Sequence, residues 1–196
     1  MAAWTVDQCA GHLALDFSNT VSDRDTPAAV EHLESYGALV EFARQTELVP
    51  AREARRLAEL AAQRPEAAAG VLAEAVALRE ALYRIFAAVS AAATPRATDI
   101  AVLNAHQARF RLGEHFGWEW SARPDGLDAF LGPIVRAAVA LLTSERRDRI
   151  RMCAADTCVW VFLDTSKNRS RRWCDMAQCG NREKARRFHE RHQADG

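Results

Sequence analysis

Apolar residues fall three and four apart along the middle of the chain. Val71, Ala75, Leu78, Leu82, Ile85 and Val89 keep that step behind Pro65, which predicts a long amphipathic helix opened by the proline. Pro50 opens a second helical stretch with Leu57, Leu60 and Ala61 inward, and Ser35 is placed to cap a third containing Leu39, Phe42 and Ala43. Thr26 followed by Pro27 reads as another N-cap with proline at the first helical position. Thr98 or Asp99 would cap a helix running to about Phe110. Nearer the start, Leu13, Leu15 and Phe17 alternate with smaller or polar neighbours, the pattern of a short strand.

The period then changes. In RFRLGEHFGWEWSARPDG, residues 109–126, aromatic residues alternate on both sides of a glycine-bearing centre, which predicts a hairpin. Residues 125–145 return to a helical pattern, with Gly132–Pro133 as a kink or a restart. Residues 143–151, TSERRDRIR, form a charged seam that reads as a hinge or a continued helix. The expected fold is mainly α with a few short strands: a helical body over residues 1–145 and a small cysteine-bearing module over 146–196.

The chain has 196 residues, 49% apolar and 27% charged, a folded composition with as many basic as acidic residues, 26 of each. The average conceals an asymmetry. From Arg149 to His192 there are eleven Lys/Arg against five Asp/Glu, so the body carries the matching acidic excess. The opening residues have neither a basic region nor an unbroken apolar run, and no stretch approaches the ~20 apolar residues of a membrane span. A cytoplasmic protein without a membrane partner is expected, and in that compartment clustered cysteines read as metal ligands before disulfides.

Cys153 and Cys158 are separated by four residues, as are Cys174 and Cys179, with fifteen residues between the pairs. Zinc takes four tetrahedral ligands and commonly draws them as two short-spaced pairs. Four thiolates leave no open position, so the expected cofactor is one structural Zn²⁺. The module has few apolar residues outside Val159–Leu163 and needs such help to fold. Disulfides and an iron–sulfur cluster draw on the same residue type. Cys9 reads as a lone, distant thiol, and His189 and His192 are left out of the ligand set.

Between the pairs, Lys167, Arg169, Arg171 and Arg172 lie within six residues, interleaved with Ser166, Asn168 and Ser170, with no acidic residue between Asp164 and Asp175. After the last cysteine, Arg182, Lys184, Arg186 and Arg187 follow on a helical pattern. The stretch FLDTSKNRSRRWCDMAQCGNREKARRF closely resembles the CGNR zinc finger, named for the tetrapeptide that stands here as residues 179–182. GHLALDFSNTV resembles the opening of the ABATE domain that precedes that finger.

The resemblance implies a bacterial, stress-related transcription regulator that binds duplex DNA. Physical chemistry supports the same residues: a basic turn gains affinity by releasing counterions from phosphate, and arginine reads guanine in the major groove. The candidate contacts are Lys167, Arg169, Arg171, Arg172, Arg182, Lys184, Arg186 and Arg187. On the helix, Glu183 with Arg187 and Arg186 with Glu190 could instead form intrahelical pairs. The alternative function is a zinc-stabilised module for protein or RNA.

No enzyme is expected, since the body lacks a glycine-rich phosphate loop, a nucleophile elbow and an H-E-x-x-H motif. Its one dense polar group, around Asp16, Asn19 and Arg24, reads first as a turn tied by local backbone bonds. The sharper reading is a pocket for a small effector, with a homodimer as a further role for the body.

Overall fold

The computed structural model describes residues 4–186. Six helices that lie wholly among those residues and three two-stranded antiparallel ribbons follow one another: α1 (Leu13–Ser18), β1 (Val21–Ser22), β2 (Val30–Glu31), α2 (Tyr36–Gln45), α3 (Ala51–Gln63), α4 (Pro65–Ser90), α5 (Ala97–Gln107), β3 (Phe110–Leu112), β4 (Trp118–Trp120), α6 (Leu131–Leu142), β5 (Ile150–Met152) and β6 (Val161–Leu163). A 3₁₀ turn over Glu145–Arg149 leads into β5, and a π turn over Met176–Gly180 leads into helical residues 181–186. The mainly helical α+β class expected from the sequence is the one observed. No helix among the described residues is long and apolar enough to cross a membrane.

Helix α4 is the spine. It packs against α1, α2, α3 and α5 and against both strands of the β5–β6 ribbon. Pro65 stands in its first turn, and Val71, Ala75, Leu78, Leu82 and Ile85 are buried as their spacing requires. Ser35 caps α2 by accepting the Ala38 N–H at 3.1 Å, and Pro50 is the residue before α3. The hairpin forms with Phe110 opposite Trp120 and Leu112 opposite Trp118. Helix α6 starts afresh at Leu131, with Gly132 and Pro133 in its first turn. A Cβ at Gly132 would come within 2.6 Å of Trp120 Cγ, so glycine is what lets α6 lie against the hairpin.

Three expectations fail. Residues 13–18 are helical, not a strand: His12 caps the segment, and Ala14 through Ser18 are all buried. The alternation carried no information because the intervening small and polar residues are inside as well. No helix follows Thr26–Pro27; Thr26 Oγ1 caps only a turn, accepting the Ala28 N–H at 3.1 Å. The chain then returns as β2, held extended by the His32 N–H on the Thr20 carbonyl and by Arg79 on both oxygens of Glu31. Asp99 does not cap α5. It sits buried in the first turn and accepts two bonds from Arg84, while α5 stops at Gln107 because Phe110 belongs to the hairpin.

The cysteine-bearing module is not a pendant. Val161, Phe162 and Leu163 have no exposed surface, and the four ligand cysteines belong to the same hydrophobic cluster as Phe17, Phe42 and Phe86. Asn19 at the end of α1 makes the join: its Nδ2 donates to the Val161 carbonyl at 2.9 Å and its Oδ1 accepts the Val161 N–H at 3.0 Å. Trp160 Nε1 donates to the Val21 carbonyl, and the Tyr83 hydroxyl donates to the Val159 carbonyl.

Candidate metal centre and basic turn

Cys153 follows β5 and Cys158 stands three residues before β6, so the first pair spans a knuckle at the open end of the ribbon. The Cys153 N–H donates to the Trp160 carbonyl at 2.8 Å, and Val159 takes a positive φ of 48° to complete the turn. Cys174 and Cys179 are brought round by the basic segment. Asp175 fixes them by accepting the Ala177 and Gln178 N–H groups, which starts the π turn carrying Cys179.

The four sulfurs lie within 4.8 Å of one another, and none of the four residues is more than 6% exposed. Cys158 and Cys174 are 3.5 Å apart at sulfur, Cys174 and Cys179 3.6 Å. Zinc–sulfur bonds of ~2.3 Å in a tetrahedron put ligand sulfurs about 3.8 Å apart, so the set fits one ion. At these separations no disulfide is formed, and all four cysteines are free. A multi-iron cluster would hold its thiolates further apart.

Packed this closely, four thiols cannot all ionise without a cation. Hydrogen bonds from Cys158 and Cys174 push the Cys153 thiol far down, while contact with Cys153 pushes Cys158 up. Bound zinc would replace those shared protons, and it would serve structure, since no coordination position stays open. Arg182 Nη2 lies 3.5 Å from Cys179 Sγ, placing a guanidinium against the anionic ligand set.

The basic turn is organised by a buried carboxylate. Asp164 has no exposed surface; its Oδ1 accepts the Ser166 N–H at 2.9 Å and the Ser166 hydroxyl at 2.6 Å, and its Oδ2 accepts the Arg171 N–H at 3.2 Å. Burial alone would raise this carboxyl, but those hydrogen bonds hold it below the ordinary carboxylate range. Ser166 Oγ accepts the Ser170 N–H, and Arg149 donates to the carbonyls of Asp164 and Ser166. Arg169 adopts a positive φ of 52° at the tip. Lys167, Asn168, Arg169, Ser170 and Arg172 are all exposed.

Arg171, grouped with these contacts on sequence, is instead turned inward. Its Nε donates to the Trp173 carbonyl and its Nη2 to the carbonyls of Cys9 and Cys174, with the guanidinium 4.7 Å over the Phe162 ring. It braces the second ligand pair against the amino-terminal segment. Arg186 is likewise committed, to Glu183 at 2.6 Å and Asp156 at 3.4 Å. Arg182 and Lys184 are exposed. Arg187, His189 and His192 lie outside the described residues.

Cys9 is not remote. Its carbonyl receives Arg171 and its thiol neighbours Cys174. The expected local ties hold for the Asn19 N–H, which donates to the Leu15 carbonyl, and for Asp16, which accepts the Ala10 N–H, but the Asn19 side chain reaches a partner 142 residues away. Arg24 is paired with Glu80 at 2.6 Å and lies over Tyr83. Residues 143–151, expected as a hinge or a continued helix, instead form a 3₁₀ turn running into β5, with Arg146 and Arg147 exposed on it.

Two family models match the chain. ABATE, described as "Putative stress-induced transcription regulator", covers residues 11–145, and the CGNR zinc finger covers residues 149–192. A search of curated proteins found no match.

Proposed function

The chain belongs to the ABATE family and ends in a CGNR zinc finger, and on that premise we propose that it is a DNA-binding transcription regulator. In this reading the finger, residues 146–196, contacts duplex DNA through Lys167, Arg169 and Arg172, with Arg182 and Lys184 at the edge of the surface. The body, residues 1–145, senses an effector. The carrying observation is the exposed basic turn held in one shape by buried Asp164. A loop already closed loses little conformational freedom on meeting a phosphate backbone, so more of its electrostatic attraction survives as affinity. Arg171 supports the reading indirectly, by anchoring the turn on the metal-bearing side.

The test is duplex binding by the zinc-loaded chain over a series of salt concentrations. Replacing Lys167, Arg169 and Arg172 together by alanine should weaken binding and flatten the slope of log K against log salt. Each lost phosphate contact accounts for a change of ~0.9 in that slope. Zinc content should not change. Undiminished affinity in the triple variant would overturn the assignment, and preferential competition by single-stranded RNA would replace DNA as the partner.

A further inference from the structure

Between the body and the finger lies a cavity of about 210 Å³, smaller than the ~300–1,000 Å³ typical of drug-sized ligands. Trp4, Asp7, Asp16, His32, Trp160 and Gln178 are among its walls. We propose that it binds a small organic ammonium ion, with the Asp16 carboxylate as anchor and the Trp4 and Trp160 indoles as flanking walls.

Asp16 carries the argument. It is only 6% exposed, and its Oδ1 accepts the Ala10 N–H at 3.1 Å. Among the described residues no donor meets its other oxygen and no arginine or lysine pairs with it. The nearby arginines are committed elsewhere, Arg24 to Glu80 and Arg79 to Glu31 and Glu80. Burial raises the Asp16 pKa to about 7, and the like charge of Asp7 adds to the rise. A buried carboxyl facing a cavity without a cation is what an incoming cation would stabilise.

The other walls agree. His32 stacks flat on Trp4, 4.7 Å between centroids, with Nε2 2.8 Å from Ser22 Oγ. Burial lowers its pKa from the ordinary histidine value, which disfavours a competing positive charge there. Trp160 is oriented by its bond to the Val21 carbonyl. Indole faces attract ammonium groups through their quadrupole. A metal ion is disfavoured, because among the described residues the only set of three or more clustered ligands is the four cysteines.

The pocket also reaches the finger. Gln178, between the ligands Cys174 and Cys179, donates to Asp7 Oδ2 at 3.3 Å. A second cavity of about 130 Å³ shares Asp7, Ser22, Trp160 and Gln178 with the first and extends to Cys158, Cys174, Cys179 and Arg182. An occupant would therefore touch loops that carry both ligand pairs. This deepens the sensing half of the proposed function and does not depend on DNA binding.

The experiment titrates the zinc-loaded full chain with primary ammonium ions from methylammonium to hexylammonium, against alcohols of matched length. Calorimetry and tryptophan fluorescence follow the binding. Saturable binding by at least one ammonium ion, at least tenfold weaker for its alcohol, is expected. Asp16→Asn keeps the acceptor for Ala10 and should lose at least tenfold in affinity; Trp4→Ala should weaken binding as well and decides the matter if Asp16→Asn fails to fold. No saturation by any ammonium ion, equal binding of the alcohols, or full affinity in the variants would overturn the proposal. Ammonium binding without DNA binding would leave the pocket standing and remove the DNA reading, and the opposite result would do the reverse.

Discussion

Replacing Asn19 by alanine removes both hydrogen bonds that tie the end of α1 to strand β6. The Val161 N–H and carbonyl stay behind, in a residue with no exposed surface. Each buried group left unsatisfied costs about 1–3 kcal/mol, so the pair should cost about 2–6 kcal/mol. Domains are stable by only about 5–15 kcal/mol, which makes this a large fraction of the whole. Asn19→Asp should be worse than alanine: it retains an acceptor for the Val161 N–H but sets an anion against the Val161 carbonyl. The assay is urea unfolding of the zinc-saturated chain, followed by far-ultraviolet circular dichroism and by tryptophan fluorescence. Body and finger share one core, so both probes should report one transition whose midpoint moves together. A loss below about 1 kcal/mol would refute the reasoning, because it lies under the penalty for even one orphaned buried group. A shift confined to one of two resolved transitions would refute it too.

Chelating the zinc should depress the melting of the whole chain as a single transition, since the β5–β6 ribbon packs on α4; calorimetry showing an unfolded tail beside a body of unchanged melting temperature would count against this. Asp16→Asn should gain stability over the native chain as pH rises. The folded Asp16 pKa of about 7 lies above its ordinary 3.8, so the native chain incurs no penalty below pH 4, an increasing one between pH 4 and 7, and its full value of roughly 4 kcal/mol above that. Urea unfolding of both proteins between pH 5 and 8 measures the difference, in which other titrations cancel. Arg171→Ala should speed zinc loss to a competing chelator while leaving the salt slope of DNA binding nearly unchanged. Arg171→Lys should restore little, because an ammonium cannot reproduce the guanidinium fork that meets the Trp173, Cys9 and Cys174 carbonyls.

Elements set by short-range interactions were legible in the sequence, and those set by distant partners were not. Ser35, Pro50 and Pro65 act on backbone within a turn of themselves, and each helix begins where that chemistry places it. The hairpin was legible because its aromatic residues keep a period of two on both sides of a tight turn. Local rules failed where distant partners outweighed them. Thr26–Pro27 has the signature of a helix start, yet Arg79, 48 residues beyond Glu31, draws the following chain into a strand. Asp99 has the right position for a cap, but the Arg84 guanidinium takes its carboxylate inside.

The four-cysteine cluster was readable because its information is local and chemical: two equal short-spaced pairs are a common supply of tetrahedral ligands, and the fold brings the four sulfurs within 4.8 Å of one another. The basic turn was readable as charge but not as geometry. Arg171 and Arg172 are neighbours of identical chemistry, and only the packing of Phe162, Cys9 and Cys174 sends one inward while the other faces solvent. By itself the amino-acid order determined the helical body, the ligand set and the sign of the field around it, since these follow from side-chain type and short-range spacing. Tertiary structure decided that Asn19 joins body to finger, that Cys9 lies beside the metal ligands, and that Asp16 is left buried without a counter-charge. The first two depend on bringing together segments as much as 162 residues apart, and no short-range pattern encodes such a meeting.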